Sequence, residues 1–224
     1  MLPKHVLIIP DGNRRFAKAK GFSLEEAYEL ACVHVTTNLV KQILVKRRIP
    51  MLSLFGLSYD NAANRHELEL APIYDAHAKT YAAWLADDEI KLNVKFNFIG
   101  DARLLPKRYR LLAAKLVAAT NRNTRGVCNI LIPYDGQREI VDGARKVARK
   151  KSFSREGFFG CLQLREPIDL VIRTGRETRL SACPLYQTAY AEIFFKDFYY
   201  PEFTTRRLDA IIREFSERER RFGK

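Results

Sequence analysis

The segment HVLIIPDGNRRFA at positions 5–17 combines an apolar run with an acid, a glycine, an amide and two arginines. Gly12 allows a tight turn into a helix-like stretch whose free N–H groups attract anions. Arg14 and Arg15 carry forked guanidinium groups that suit phosphate oxygens. Asp11 would repel a phosphate unless a hard cation such as Mg²⁺ lay between them. The segment therefore fits a magnesium–diphosphate site, and the alternative is an Asp-Gly-Asn turn with surface arginines.

A second segment, DLVIRTGRETRLSACPLYQTAYAEIFF at 169–195, also runs from an apolar stretch into a polar loop. Arg173, Arg179 and Ser181 follow that stretch and are suited to a second diphosphate. Glu192 begins the last apolar run and offers another carboxylate. Two arginine-bearing strand exits, each with an acid, indicate a site for two phosphorylated substrates that share a cation.

The elements that must position these residues alternate between strand-like and helix-like patterns. Short runs rich in Val, Ile, Leu and Phe are typical of fully buried strands. Longer stretches have helical spacing, and the first opens with Ser23 and Glu26 as a capping box. This alternation predicts an α/β fold with one largely parallel sheet and helices on both faces, which binds ligands beyond the carboxyl ends of its strands. The predicted strands are 5–10, 51–57, 94–100, 127–134, 169–174 and 192–195, and the predicted helices are 23–47, 67–85, 106–121 and 137–150.

Composition narrows the class of protein. The 224 residues carry a net charge of +13 and contain no linker-like tract, so we expect a single domain over 1–224 with anionic partners. No run approaches the roughly 18 apolar residues of a membrane span, and no signal peptide is apparent, which predicts a cytoplasmic protein that could still contact a membrane face. The cysteines lack zinc-site spacing and are expected to be reduced thiols: Cys32, Cys128, Cys161 and Cys183.

Several segments together resemble the cis-prenyltransferase family, whose best-known members make undecaprenyl and dehydrodolichyl diphosphate. They are HVLIIPDGNRRFAK, LFGLSYDN, FIGD, YDGQREI, DLVIRTGRETRLS with YQTAYAE, and RERRFG, in the family's order over nearly the whole chain. The resemblance implies a parallel sheet of about six strands, usually in a homodimer. It also implies a magnesium-dependent reaction that joins an allylic diphosphate to isopentenyl diphosphate.

The same resemblance assigns roles to individual residues. Asp11 and Asn13 would form the catalytic centre, and Asp11 and Glu192 would bind the magnesium ion. The implied substrate-binding residues are Gly12, Arg14, Arg15, Phe16, Ser58, Asn61, Arg65, Arg173, Arg179, Ser181, Arg220 and Gly223. An allylic cation also needs a dry apolar pocket. Phe16, Phe55 and Leu57 are candidates for lining it, although such residues more often belong to the core.

Two departures from the family pattern affect the site for the allylic donor. Leu24 and Tyr28 stand where the family has an arginine and a histidine that hold the donor diphosphate. The family's S-T-E-N-W-x-R-P becomes SYDNAANR, which replaces its tryptophan with Ala62 and leaves Arg65 as the nearest arginine. The stretch GFSLEEAY also resembles a branch of the family that joins two short isoprenoid units head-to-middle, whereas Glu177 is retained as in elongating enzymes.

Four functional hypotheses follow from these features. Ordinary cis-elongation is the leading interpretation, and head-to-middle coupling to a branched lavandulyl-type product is the first alternative. A non-catalytic partner subunit would be expected to lack the acid and the arginines that this chain keeps. Nucleic-acid binding is suggested only by the net charge and the basic run 146–151, because no RNA- or DNA-binding motif is present.

Overall fold

A computed structural model of the chain describes residues 1–150 and 153–218. Six strands form one sheet in the order β3-β4-β2-β1-β5-β6, and every neighbouring pair is parallel. The predicted six-stranded parallel sheet is confirmed. Its strands are β1 (His5–Ile9), β2 (Met51–Phe55), β3 (Val94–Ile99), β4 (Gly126–Leu131), β5 (Leu170–Arg173) and β6 (Glu192–Phe195).

The apolar character of the central strand follows from burial on both faces of the sheet. All five residues of β1 are buried. Val6 and Ile8 pack into the larger hydrophobic cluster, whereas Leu7 and Ile9 pack into a separate cluster on the opposite face. Because successive side chains of a strand point to opposite faces, a strand covered on both sides has no polar alternation.

Helices surround the sheet. They are α1 (Asn13–Lys20), α2 (Leu24–Glu29), α3 (Thr37–Val40), α4 (Tyr59–Asn64), α5 (Glu67–Ala86), α6 (Asp88–Lys91), α7 (Lys107–Thr120), α8 (Gly136–Lys150), α9 (Arg155–Phe159) and α10 (Thr205–Glu217). Short 3₁₀ turns lie at Ala102–Leu104 and Tyr200–Glu202. The larger cluster draws residues from α2, α3, α5, α7 and α10, and Gly143 of α8 lies against Leu162.

The stretch predicted as a helix over 23–47 is helical throughout but contains two π-helical sections. Between α2 and α3 the turns Leu30–Thr36 widen to π geometry, and the turns Lys41–Lys46 do so again after α3. The predicted capping box is present, since the Ser23 hydroxyl accepts from the Glu26 N–H (3.1 Å) and the Glu26 carboxylate accepts from the Ser23 N–H (2.8 Å). Wider turns of this kind often occur beside functional sites, and this region forms one wall of the cleft described below.

The parallel arrangement places the strand exits of β1, β2 and β5 side by side at one edge of the sheet. Ile9 is level with Arg173, and the register pairs β2 with β1 from Met51 to Leu54. The loops that carry the sequence-predicted site residues therefore begin at neighbouring points.

Candidate active site

In the loop after β1, the backbone of Gly12 passes close to Tyr199 and Gly175. Gly12 has a φ of 94°, in the left-handed region, and a Cβ there would lie 2.6 Å from Cδ1 of Tyr199 and 3.1 Å from Cα of Gly175. Its N–H donates to Oδ1 of Asp11 (2.6 Å). Only glycine meets these steric limits without strain. The turn therefore sets the position of the Asp11 carboxylate at the start of α1.

The loop after β5 holds Asp11 from the other side. The Asp11 N–H donates to Oγ1 of Thr174 (3.0 Å), and that hydroxyl donates to the Asp11 carbonyl oxygen (2.9 Å). The side chain of Arg173 is only 5% exposed and donates to Oδ2 of Asp11 (2.8 Å) and to Oγ of Ser181 (2.9 Å). It also donates to the carbonyl oxygen of Arg179. The two strand exits are thus one hydrogen-bonded unit.

The second loop is held in unusual backbone conformations. Arg176 and Ser181 have φ values of 68° and 55°, and Gly175 has a φ of 86°. Left-handed conformations cost L-residues about 1–2 kcal/mol each and persist where surrounding contacts impose them. The contacts of Arg173 with Arg179 and Ser181 are such constraints.

Alternating charges connect the two loops across the site. Arg15 donates to Oδ1 of Asp11 (3.0 Å) and to Oε1 of Glu177 (2.8 Å). The other oxygen of Glu177 accepts from Arg179. Together with Arg173 these residues form a continuous chain of ion pairs, in which each carboxylate lies between two guanidinium groups. We call it the ion-pair chain: Arg173, Asp11, Arg15, Glu177 and Arg179.

Two polar atoms at this site are buried without a hydrogen-bond partner. They are Oδ1 of Asn13, the first residue of α1, and Nε of Arg173. Buried polar atoms are nearly always paired, so an unpaired acceptor after β1 and an unpaired donor at the end of β5 suit the binding of a polar ligand. A carboxylate and an amide oxygen beside arginines fit a hard cation with phosphate oxygens, because Mg²⁺ is usually held by one or two carboxylates together with substrate phosphates. Among residues 1–150 and 153–218, no group of three or more His, Cys, Asp or Glu side chains could hold a metal ion.

These loops surround the mouth of a cleft of about 980 Å³. Its predicted polar lining is brought together: Asp11, Gly12, Asn13, Arg14, Arg15, Ser58, Asn61, Arg65, Arg173, Arg179 and Ser181 all border it. The inner part is lined largely by buried apolar and aromatic residues, including Tyr28, Cys32, Leu54, Ile73, Tyr81, Trp84, Ile130 and Tyr200, together with the partly exposed His77. The cleft therefore joins a charged mouth to an interior that is mainly apolar.

Polar groups deep in the cleft are kept neutral by burial. Desolvation lowers the pKa of His77 to about 4 and raises that of Tyr81 well above its usual range. The Tyr81 and Tyr109 hydroxyls are 2.5 Å apart, and the Tyr109 hydroxyl is 3.5 Å from Nδ1 of His77. Trp84 donates from Nε1 to Oγ1 of Thr37 (2.8 Å). The side chains of His77 and Tyr81 are therefore uncharged at neutral pH.

Another part of the cleft mouth carries residues on or next to α1, α2 and α4. We call it the facing lip: Arg14, Tyr28, Asn61 and Arg65. Ser58 caps α4 by accepting from the Asn61 N–H (3.2 Å), and Arg14 pairs with Glu69 (3.0 Å). Burial raises the pKa of the Tyr28 phenol, and a hydrogen bond with Arg65 acts in the opposite direction. The side chain at the family's histidine position thus lies beside a guanidinium group.

Two predicted site residues are not placed at the cleft. Phe16 is buried with Ala17 and Ala27 and packs edge-on against Phe22, which places it in the core, and its contact with substrate stays a prediction. Its position on α1 turns it away from the cleft, whereas Arg15 borders it.

Glu192 lies at the opposite end of the sheet from Asp11. It begins β6 and is level with Leu170 and Val6, whereas Asp11 follows the last residue of β1. Five residues of extended chain span about 16 Å, and Glu192 pairs with Arg218 (2.7 Å). Within one chain these acids do not share an ion, and the carboxylate that the fold brings near Asp11 is Glu177. Arg220 and Gly223 lie outside the described residues.

Sequence reasoning missed several residues that hold the Asp11 loop or line the cleft. Thr174 holds the Asp11 loop, and it could have been recognised as the residue directly after a strand that ends in a site arginine. His77, Tyr81 and Trp84 lie on α5 at the spacing of a buried helix face, which is the same signal that core residues give.

A parallel α/β sheet with two phosphate-suited loops above an apolar cleft defines a class of enzymes that act on hydrocarbon diphosphates. The chain belongs to the cis-prenyltransferase family: residues 9–223 match the family model described as "Putative undecaprenyl diphosphate synthase". It is a prenyl diphosphate synthase of that family, as the resemblance predicted.

Relatives and solved structures agree with this assignment. The chain is 37% identical to a tritrans,polycis-undecaprenyl-diphosphate synthase (geranylgeranyl-diphosphate specific) from Pyrobaculum aerophilum, over 100% of this chain and 97% of that protein. A probable undecaprenyl diphosphate synthase from Campylobacter jejuni has a similar structure, with a TM-score of 0.84, 31% identity and coverage of 100% and 99%. Lavandulyl diphosphate synthase from Lavandula x intermedia has a TM-score of 0.87 with 24% identity and the same coverage, which shows a shared fold. No helix in the described part of the chain is long and apolar enough to cross a membrane.

Proposed function

We propose that the protein is a magnesium-dependent synthase that condenses an allylic diphosphate with isopentenyl diphosphate in cis-prenyl chain elongation. The observation that carries this proposal is the Arg173–Asp11 contact, which joins two phosphate-suited loops at the mouth of an apolar cleft. The names of the relatives, several of which specify undecaprenyl diphosphate synthesis, support elongation as the reaction type. The whole chain, 1–224, would act as one catalytic domain.

The two loops would divide the two diphosphates between them. Gly12, Asn13, Arg14 and Arg15 hold the allylic diphosphate at the start of α1, where free N–H groups and guanidinium groups favour an anion. Arg173, Arg179 and Ser181 hold the homoallylic diphosphate. When bound, Mg²⁺ would neutralise charge on the leaving diphosphate, with Asp11 and the Asn13 amide oxygen as its protein ligands.

The interior of the cleft protects the allylic cation. Ionisation of an allylic diphosphate leaves a carbocation that water captures quickly unless water is excluded. The inner walls carry aromatic faces from Tyr28, Tyr81, Trp84 and Tyr200, and such faces attract cations. The hydrocarbon chain would lie between these rings while the diphosphates stay at the mouth.

Head-to-middle coupling is the second candidate, and one observation favours it. Leu24 and Tyr28 replace two cationic ligands of the donor diphosphate, and Tyr28, whose side chain is bulkier than histidine, lines the cleft. A smaller donor, such as dimethylallyl diphosphate, would then be preferred. The similarity to lavandulyl diphosphate synthase concerns the fold and does not support this candidate separately.

Product analysis tests both candidates. The purified protein is incubated with Mg²⁺ and dimethylallyl, geranyl, farnesyl or geranylgeranyl diphosphate, each with and without isopentenyl diphosphate, and products are identified by mass spectrometry and NMR. Products that require isopentenyl diphosphate support elongation, whereas products from dimethylallyl diphosphate alone support head-to-middle coupling. Asp11→Ala is expected to abolish turnover, and the exposed Asp142→Asn, which removes an acid paired with Arg145, is the control that keeps it. Turnover by Asp11→Ala at the wild-type rate would refute the assignment.

The assembly and location are part of the same proposal. A cytoplasmic homodimer is expected from the resemblance, and contact with a membrane face would suit a lipid product. Sedimentation equilibrium would show the oligomeric state, and a vesicle flotation assay would show membrane contact.

A further inference from the structure

We infer that Glu177 is a positioning residue that keeps Arg15 at the cleft mouth when a cation takes the place of Arg15 on Oδ1 of Asp11. This inference rests on the proposed function, because it concerns how the same site accepts Mg²⁺ and a diphosphate. Glu177 lies in the loop after β5, and its side chain is 27% exposed. Glu177 itself does not border the cleft. It contacts Arg15 and Arg179, and Arg15 in turn contacts Asp11; these three residues all border the cleft.

The two oxygens of Asp11 have different partners. Oδ2 accepts from Arg173, which is fixed in place by the Arg179 carbonyl oxygen and by the Ser181 hydroxyl. Oδ1 accepts from the Gly12 N–H and from Arg15, whose side chain is 42% exposed. Arg15 is therefore the partner that can leave Asp11 more easily, and Oδ1 is the oxygen that it would free.

Glu177 provides the alternative partner that Arg15 needs. NH1 of Arg15 is 2.8 Å from Oε1 of Glu177, while NH2 is 3.0 Å from Oδ1 of Asp11. When the contact with Asp11 is lost, the contact with Glu177 still keeps the guanidinium group at the mouth, so the exchange does not leave an unpaired cation. Without Glu177, the whole charge of Arg15 would compete with Mg²⁺ for Asp11.

Calorimetric binding of inorganic pyrophosphate tests this role without any turnover. Titrations are made with and without Mg²⁺ for the wild type and for Glu177→Gln, Glu177→Asp and Glu69→Gln. Glu69→Gln is the matched control, because it removes the acid paired with Arg14 on the facing lip and has no contact with Asp11. The measured quantity is the factor by which Mg²⁺ tightens pyrophosphate binding.

We expect Glu177→Gln to bind pyrophosphate at least as well as the wild type without Mg²⁺, because one negative charge is gone. The tightening by Mg²⁺ should fall by about twofold to fivefold, which lies within the range for a partly exposed ion pair. Glu177→Asp should recover part of it, and Glu69→Gln should retain the wild-type factor. The Mg²⁺ concentration for half-maximal turnover should rise in Glu177→Gln by a similar factor.

Other outcomes would overturn the inference in distinguishable ways. Equal loss of pyrophosphate binding with and without Mg²⁺ in Glu177→Gln would mean that the residue only supports the loop. An unchanged tightening factor in Glu177→Gln would mean that it does not act on Asp11, while the proposed function stands. Wild-type protein whose pyrophosphate binding does not respond to Mg²⁺ would instead refute the magnesium site itself.

Discussion

Replacing Asp11 with alanine should destabilise the fold as well as remove activity, because it leaves the buried charge of Arg173 without a counter-ion. The Arg173 side chain is 5% exposed, and its remaining acceptors, the Arg179 carbonyl oxygen and the Ser181 hydroxyl, are neutral. Asparagine at the same position keeps an oxygen for the hydrogen bonds but removes the charge. The two variants therefore separate the effect of the charge from that of the hydrogen bonds.

The size of the effect follows from the burial of the two partners. Removing one partner of a fully buried ion pair costs about 3–5 kcal/mol. Asp11 is 27% exposed, so water reaches the site and lowers the cost to about 2–3 kcal/mol for Asp11→Ala. For Asp11→Asn, which retains an acceptor, we expect about 1 kcal/mol. A chain of this length loses about 2–4 °C in Tm for each kcal/mol, so the alanine variant should melt roughly 4–12 °C lower.

Thermal unfolding with and without inorganic pyrophosphate, in the absence of Mg²⁺, measures this effect. Pyrophosphate can replace the missing carboxylate as the counter-ion of Arg173, and a ligand that binds only the folded state raises Tm. The Tm increase should therefore be larger for Asp11→Ala than for the wild type, with Asp142→Asn as the unaffected control. A Tm of Asp11→Ala equal to that of the wild type, or a pyrophosphate response no larger, would refute the claim that Arg173 depends on Asp11.

Three further predictions concern the turn, the core and the cleft. Gly12→Ala should lose measurable pyrophosphate binding, because its Cβ would meet the Tyr199 ring at 2.6 Å in a left-handed turn; wild-type affinity by calorimetry would contradict this. Burial lowers the pKa of His5 to about 4, so the folded state stays neutral while the unfolded state gains a proton near pH 6.5. The free energy of unfolding should therefore be highest above pH 6.5 and should fall by up to about 3 kcal/mol between pH 6.5 and 4. In denaturant unfolding, the free energy of His5→Gln should depend less steeply on pH than that of the exposed His34→Gln. The single tryptophan, Trp84, lines the interior, so its fluorescence should change with geranylgeranyl diphosphate but not with pyrophosphate, and an equal response to both would place the hydrocarbon elsewhere.

The sheet was predictable from the sequence because each central strand is buried on both faces and so forms an uninterrupted apolar run. β1 and β5 are fully buried, and they are among the clearest runs in the chain. The π-helical turns after α2 were not predictable, because their residues follow the same apolar spacing as an ordinary helix.

The pairing of Asp11 with Arg173 was predictable from topology alone, since both follow the carboxyl ends of strands in one parallel sheet. The same rule argues against Glu192, because a residue that begins a strand lies at the opposite edge. Recognition of Glu177 needed the structure, because only the folded loop shows that its carboxylate lies between two arginines of different loops. Phe16 and Arg15 are adjacent in sequence, and helix geometry decided which of them faces the cleft.

The facing lip keeps positive charge although the family's arginine and histidine are replaced. Tyr28 occupies the histidine position, and its phenol lies beside Arg65 and within electrostatic reach of Arg14. Both arginines border the cleft, so two cations still face the place where a donor diphosphate would lie. A phenol hydrogen-bonded to a guanidinium group can also donate to a phosphate oxygen, a role that histidine fills in the family pattern. The substitutions at Leu24 and Tyr28 thus remove two ligands of the donor diphosphate, whereas Arg14 and Arg65 remain at the mouth. Arg65→Ala is therefore the variant expected to weaken donor binding.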